Sequence, residues 1–208
     1  MYRLPPSILV ATVCTAMAGA ATLTSEAAVW GRPVLRAWVN VNLAPVMDTV
    51  SKSFAPHNPP VGQYYGEYGY TSATVAARGT AFLRGRRSTG LAMTAKHFPG
   101  LGRVNGNTDT TSRVTDRVTT RSSSDVAPFR AALTSGARFL MVSSATYSRI
   151  DAYHPAAFSS TVITGMIRGD LGFTGVVVSD DLGSSWQVRE WSPGPGQSTS
   201  SALEVTWS

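Results

Sequence analysis

The stretch Leu91-Ala92-Met93-Thr94-Ala95, which runs straight into Lys96-His97-Phe98-Pro99-Gly100, decides how this chain is read. Its first five residues are apolar or small on both faces, as in a strand covered on each side, and the strand delivers an ammonium and an imidazole to its carboxyl end. The same layout recurs along the chain. Val39-Asn40-Val41-Asn42-Leu43-Ala44-Pro45 is a short β-branched run that ends in proline and leads to Asp48. Arg138-Phe139-Leu140-Met141-Val142 ends at Ser143-Ser144, and Gly175-Val176-Val177-Val178-Ser179 ends at Asp180-Asp181.

Helical patterns separate these strands. Ser72 is placed to cap a helix with Val75, Gly79, Phe82 and Leu83 on one stripe and Gly90 as its stop. Asp125 is expected to cap a second helix carrying Phe129, Ala132 and Leu133, closed by Gly136. Ser160 should cap the last, whose Val162, Ile163, Met166 and Ile167 form an apolar stripe before Gly172. Strand and helix in alternation give parallel βαβ units, either in a barrel or in an open doubly wound sheet. No G-x-G-x-x-G follows any strand, and polar residues gather at strand carboxyl ends, which favours the catalytic face of a barrel. A whole barrel takes about 250 residues and eight strands. The fold class expected here is therefore α/β, a partial (β/α)8 TIM-type barrel with about four βα units.

Composition bounds the rest. The 208 residues are 43% hydrophobic and 14% charged, enough apolar matter for one core. The lone Cys14 excludes an internal disulfide framework and a cysteine-rich zinc site. No apolar run reaches the ~18–20 residues of a membrane span, so no stable span is expected. The net charge is +6, but only Arg84, Arg86 and Arg87 cluster, at a helix end where cations suit the dipole, so no nucleic-acid partner is expected. His57, His97 and His154 follow no ligand spacing, and neither a metal nor a cofactor is expected. Three segments follow: 1–35, an apolar helix or signal-like segment; 36–182, the barrel domain; and 183–208, a Ser/Gly/Pro-rich tail expected to be disordered, although it holds Trp186, Trp191 and Trp207. If residues 1–25 act as a signal the protein is secreted; if they form an internal helix it is cytoplasmic.

A carboxylate at the mouth of a strand is a natural nucleophile or general base, and Lys96 and His97 offer a positive, proton-donating surround. Because side chains alternate along a strand, only one of Asp180 and Asp181 can aim at the site. Read blandly, either one caps a turn and His97 packs in the core.

Asn42-Leu43-Ala44-Pro45-Val46-Met47-Asp48, Lys96-His97-Phe98-Pro99-Gly100, and the segment from Ser159 to Leu182 ending Leu-Gly-Phe-Thr-Gly-Val-Val-Val-Ser-Asp-Asp-Leu resemble, in order and spacing, glycoside hydrolase family 3. The resemblance is to its bacterial β-N-acetylhexosaminidase branch and covers about residues 36–190. It implies a retaining glycosidase in which Asp180 attacks the anomeric carbon, while Lys96 and His97, joined by Asp48, bind the sugar. The implied substrate is a small carbohydrate with terminal β-linked N-acetylglucosamine, from peptidoglycan or chitin fragments. The chain departs from the family pattern in several places. Leu101 stands where a histidine often follows the glycine, and Asn107 and Asp109 stand where an acid/base dyad is found, so Asp109 is the candidate acid/base. Gly66-Glu67-Tyr68-Gly69 lacks the sugar-binding arginine of the corresponding loop. An earlier Asp-Gln-Glu-Gly-Gly-like segment has no counterpart, which gives the expectation of a truncated or frame-disrupted member. Its open strand edges, at Val39–Pro45 and Gly175–Ser179, are expected to allow self-association. The alternatives to an enzyme are a sugar-binding remnant and an inactive fragment.

Overall fold

The computed structural model describes residues 19–191. Helix α1 (Ala20–Arg36) buries Leu23, Ala27 and Gly31 against helix α2 (Ser72–Arg87). The two approach closely at Gly85, where a Cβ would collide with the Thr24 carbonyl and the Ala27 methyl. Arg86 is drawn into this packing: its guanidinium donates to the Trp30 carbonyl (2.8 Å) and lies 5.2 Å from the Phe82 ring centre. The first 18 residues, including Cys14, lie outside the described residues, so the signal-like reading of residues 1–25 concerns mostly that part. Among the described residues no helix is long and apolar enough to cross a membrane.

Strands β1 (Val41–Asn42), β2 (Ala92–Phe98), β4 (Phe139–Val142) and β7 (Val176–Ser179) form one parallel sheet in the order β1-β2-β4-β7. Helix α2 joins β1 to β2, and helix α3 (Ala127–Thr134) lies between β2 and β4. Each of these strands lies beside the next one in the chain, in registers such as Val41↔Ala92, Ala95↔Leu140 and Leu140↔Val177. A doubly wound sheet reverses direction at a switch point; this one does not, so it is a wall of barrel staves. Phe98, Leu140, Val142 and the fully buried Phe129 of α3 belong to one buried core, Phe98 meeting Phe129 edge to face at 5.4 Å.

The elements differ from expectation where polar chemistry competes with pattern. The first strand is shorter than Val39–Pro45 because Pro45 has no amide to donate; pairing continues irregularly through the Val46–Lys96 bridge. Strand β2 is longer than Leu91–Ala95 and takes in Lys96 and His97. Thr71, one residue before Ser72, caps α2 by accepting from the Thr74 amide (3.2 Å). Asp125 caps nothing: it is buried, accepting from Arg103 Nε (2.5 Å) and Ser72 Oγ (3.3 Å). Helix Thr161–Asp170 is wound in the π form, and its capping hydroxyl is that of Ser159, not Ser160. The i→i+5 bonding stacks residues four and five apart, so Val162, Met166 and Ile167 are buried while Ile163 sits half-buried at the stripe's edge.

A second, three-stranded sheet was not legible in the sequence. Strand β3 (Thr115–Asp116), from the loop after β2, pairs parallel with β5 (Thr146–Tyr147), which pairs antiparallel with β6 (Asp151–Pro155). The described part of the expected disordered tail, residues 183–191, corrects that reading. It forms a short 3-10 turn at Trp186–Val188 with Ser185, Gln187 and Val188 buried, and Trp191 stacks on Phe158 at 6.0 Å. Buried hydrogen bonds and an aromatic contact outweigh its loop-like composition.

Candidate active site

The carboxyl ends of β1, β2 and β7 converge on one constellation. Asp48 follows the Val46–Lys96 bridge and is fully buried. Its carboxylate accepts from His97 Nδ1 at 2.8 Å and from the Leu101 amide at 2.7 Å, with the His97 amide 3.3 Å from each oxygen. An ionised carboxylate only accepts, so Nδ1 carries the proton and Nε2 is turned the other way. It faces Asp180 Oδ2 at 3.8 Å, across a gap wider than a hydrogen bond. A shift in register between Ala95 and Phe98 places one extra residue on β2 at this point, as bulges beside active sites commonly do.

Asp180 continues the β7 ladder, its amide donating to the Val142 carbonyl (3.3 Å) while Oδ1 accepts from the Asp181 amide (3.0 Å). Asp181 is the turn-former of the pair. Its carboxylate accepts from the Gly183 amide (2.9 Å) and the Ser184 amide (3.0 Å), and the bonds from Ser184 hold it below the usual carboxylate range. Thus Asp180 is the carboxylate that meets His97, and the turn-capping reading falls to Asp181. Lys96 lies beside His97 on β2, and its ammonium has no ion partner among the described residues.

Asp48 corrects an expectation. It was assigned to substrate binding; its side chain has no exposed surface, and its carboxylate is taken up by the His97 imidazole and the loop amides. Leu101 stands where a histidine was looked for, and it contributes through its backbone: the amide bonds Asp48 and the carbonyl accepts from Asn58 Nδ2 (2.9 Å). Sequence reasoning missed Asn58. This fully buried amide also donates to the Val104 carbonyl (2.9 Å) and accepts from the Val61 and Gly62 amides, clipping the loop after β1 to the loop after β2. Its one signal is an asparagine followed directly by Pro59-Pro60. Tyr147 on β5 fixes the same loop, its buried hydroxyl donating to the Gly100 carbonyl (2.9 Å).

Asp109 sits on that loop within electrostatic reach of the site. Partial burial and the negative charge of Asp180 raise its carboxyl above the ordinary range, His97 pulls it down, and Asp181 adds to the rise. Asn107 shapes the turn beneath it, its Oδ1 accepting from the Asp109 amide (2.9 Å). Glu67, where the sugar-binding arginine was missed, has its carboxyl raised by burial. Among the described residues no three His, Cys, Asp or Glu side chains gather as a metal cluster would require, so His57, His97 and His154 are not brought together.

The family model for the glycosyl hydrolase family 3 N terminal domain matches residues 4–198. A β-hexosaminidase of Stenotrophomonas maltophilia strain K279a is 41% identical over 110 residues, which is 52% of this chain and 32% of that protein. A β-hexosaminidase of Vibrio cholerae is 35% identical over 145 residues, 69% of this chain and 41% of that protein. Among solved structures, the β-N-acetylhexosaminidase of Beutenbergia cavernae is 46% identical with a TM-score of 0.85, over 87% of this chain and 54% of that one. A family 3 β-N-acetylglucosaminidase of Paenibacillus is 32% identical with a TM-score of 0.73, over 84% of this chain and 32% of that one. The chain thus spans between about a third and about half of these relatives. With the family model matched over nearly its whole length and a TM-score of 0.85 to a member's structure, this chain belongs to glycosyl hydrolase family 3, in its N-terminal barrel domain.

Proposed function

We propose that the chain carries the catalytic face of a retaining glycosidase that releases terminal β-linked N-acetylglucosamine, from substrates such as peptidoglycan or chitin fragments. The observation that carries this reading is Asp180 at the end of β7, held 3.8 Å from an imidazole that buried Asp48 has already oriented. In the first step an Asp180 oxygen bonds to the anomeric carbon as the glycosidic C–O bond breaks, and Asp109 gives its proton to the leaving oxygen. In the second, water attacks the same carbon, its proton passes to Asp109, and the bond to Asp180 breaks. Lys96 donates to a sugar hydroxyl, and His97 Nε2, with the ring proton held on Nδ1, accepts from one, bonds that tighten as positive charge develops on the ring. The raised Asp109 carboxyl suits the first step, which needs it protonated.

The test compares an aryl and an alkyl N-acetyl-β-glucosaminide. Asp180→Asn should abolish hydrolysis of both, whereas Asp109→Asn should suppress the alkyl substrate far more than an activated aryl one. The anomer first released should be β, and release of α would refute a retaining path. A second reading, a module that binds sugar without turnover, is favoured by the exposed position of Asp109 and the lack of a histidine paired with it. It predicts binding of N-acetylglucosamine that survives Asp180→Asn, with no hydrolysis beforehand. We also infer self-association through the outer edges of β1 and β7, which carry no strand partner among the described residues. Sedimentation showing a monomer across concentrations would remove that inference.

A further inference from the structure

We propose that Ser185 and Gln187 are positioning residues for Asp109, clamping its loop at a fixed distance from Asp180. The proposal rests on the reading of Asp109 as the acid/base and adds the device that holds it in place.

Three donors from three consecutive residues converge on two consecutive carbonyls. Ser185 Oγ donates to the Thr108 carbonyl at 2.7 Å, the Gln187 amide to that same carbonyl at 3.1 Å, and the Trp186 amide to the Asp109 carbonyl at 3.2 Å. With the Asp109 amide already taken by Asn107 Oδ1, both backbone groups of Asp109 are bonded. Its carboxyl is the part left to interact with the site.

The clamp is itself anchored. Gln187 Oε1 accepts from the Val114 amide (2.6 Å), and Nε2 lies within bonding distance of the Val114 carbonyl (3.2 Å) and Thr146 Oγ1 (3.4 Å). A buried primary amide is costly unless it is satisfied, and this one is satisfied by the strand β3 side of the small sheet. Ser185 is 1% exposed and Gln187 7% exposed, so water does not compete for these bonds.

The connection back to Asp180 is short and hydrogen-bonded. The Asp181 carboxylate closes the intervening turn through the Gly183 and Ser184 amides, so Asp180, the turn and the clamp form one bridge between the two carboxyl groups. Retaining glycosidases depend on that separation, because the nucleophile and the acid must reach opposite sides of one bond. Burial and the Asp180 charge act on Asp109 only while the bridge holds it near, with His97 and Asp181 as the other charges in range.

Titration of the 13C-labelled aspartate carboxyls by NMR tests this in the chain itself, in Ser185→Ala and in Gln187→Met, with melting followed in parallel. Asp109 should titrate above an ordinary aspartate in the parent chain and move down towards it in both variants. Asp151 on β6 should titrate unchanged. Should the melting temperature fall while Asp109 titrates as before, Ser185 and Gln187 are structural staples and the proposal is overturned. If Gln187→Met fails to fold, Ser185→Ala decides, since it removes one hydroxyl. The acid/base reading fails separately: Asp109→Asn would then hydrolyse alkyl and aryl substrates in the parent's proportion, whatever the titration shows.

Discussion

Replacing Asp48 by asparagine keeps the volume of a side chain with no exposed surface and changes only what it can accept. The amide retains one carbonyl oxygen, enough for the Leu101 amide now held at 2.7 Å, and turns an NH2 group towards His97 Nδ1, now 2.8 Å from the carboxylate. Nδ1 must then accept, so the imidazole proton moves to Nε2, on the side of Asp180. A hydrogen bond to a charged partner is worth about 1.5–3 kcal/mol. For a domain of this size each kcal/mol moves the melting temperature by about 2–4 °C, so Asp48→Asn should melt about 3–12 °C lower. If the same energy is lost from the transition state, hydrolysis slows by about ten- to 150-fold. Circular dichroism reads the first effect, an aryl N-acetyl-β-glucosaminide the second, and 15N shifts of labelled histidine report which ring nitrogen is protonated. A folded Asp48→Asn protein whose His97 still carries its proton on Nδ1 would refute the reasoning.

The other predictions follow from single contacts. Because Asp109 binds its proton more tightly in the folded state than in the unfolded one, stability declines as pH rises through its raised pKa. Asp109→Asn should therefore melt higher than the parent at neutral pH and equally in acid, where the parent's Asp109 carboxyl is neutral. Asp151 behaves oppositely: burial opposes ionisation, but the bonds from Ser159, the Tyr153 amide and His154 win and depress it. Its contribution is present above the unfolded value of about 3.9 and is lost as pH falls through the folded value, so Asp151→Asn should flatten the acid limb of a pH–melting curve. Phe129→Ala empties a site with no exposed surface that meets Phe98 edge to face, and should cost about 3–5 kcal/mol in denaturant unfolding. Gly102→Ala would drive a Cβ into the Thr49 carbonyl and separate the loops after β1 and β2; loss of the Nδ1-protonated His97 signal would report it.

The barrel staves were readable because a strand covered on both faces leaves an apolar run that needs no partner to be recognised, as in Val176–Ser179 and Phe139–Val142. Strand order was not readable, since a parallel unit fits either a barrel or an open sheet. Two-residue strands such as Thr115–Asp116 carry no period at all and exist only because Thr146–Tyr147 lies alongside. Among site residues, the sequence identified which types stand at strand ends but not where they aim. Asp180 and Asp181 are chemically identical and one residue apart, yet one meets His97 and the other closes a turn. Asp48 was read as a ligand for sugar; only the position of His97 on the neighbouring strand shows that its carboxylate is turned to the imidazole. Asn58 and Gln187 act on backbone groups, which leave no trace in the identity of the residues they bind.

The bond from Ser185 to Thr108 joins residues 77 positions apart. A ribosome adding about 5–20 residues per second would need roughly 4–15 s to make the stretch between them. Throughout that interval the Asp109 loop exists without its fastener, while every strand from β3 to β7 is being made. The order of synthesis thus places this fastening after all four strands of the parallel sheet have been made.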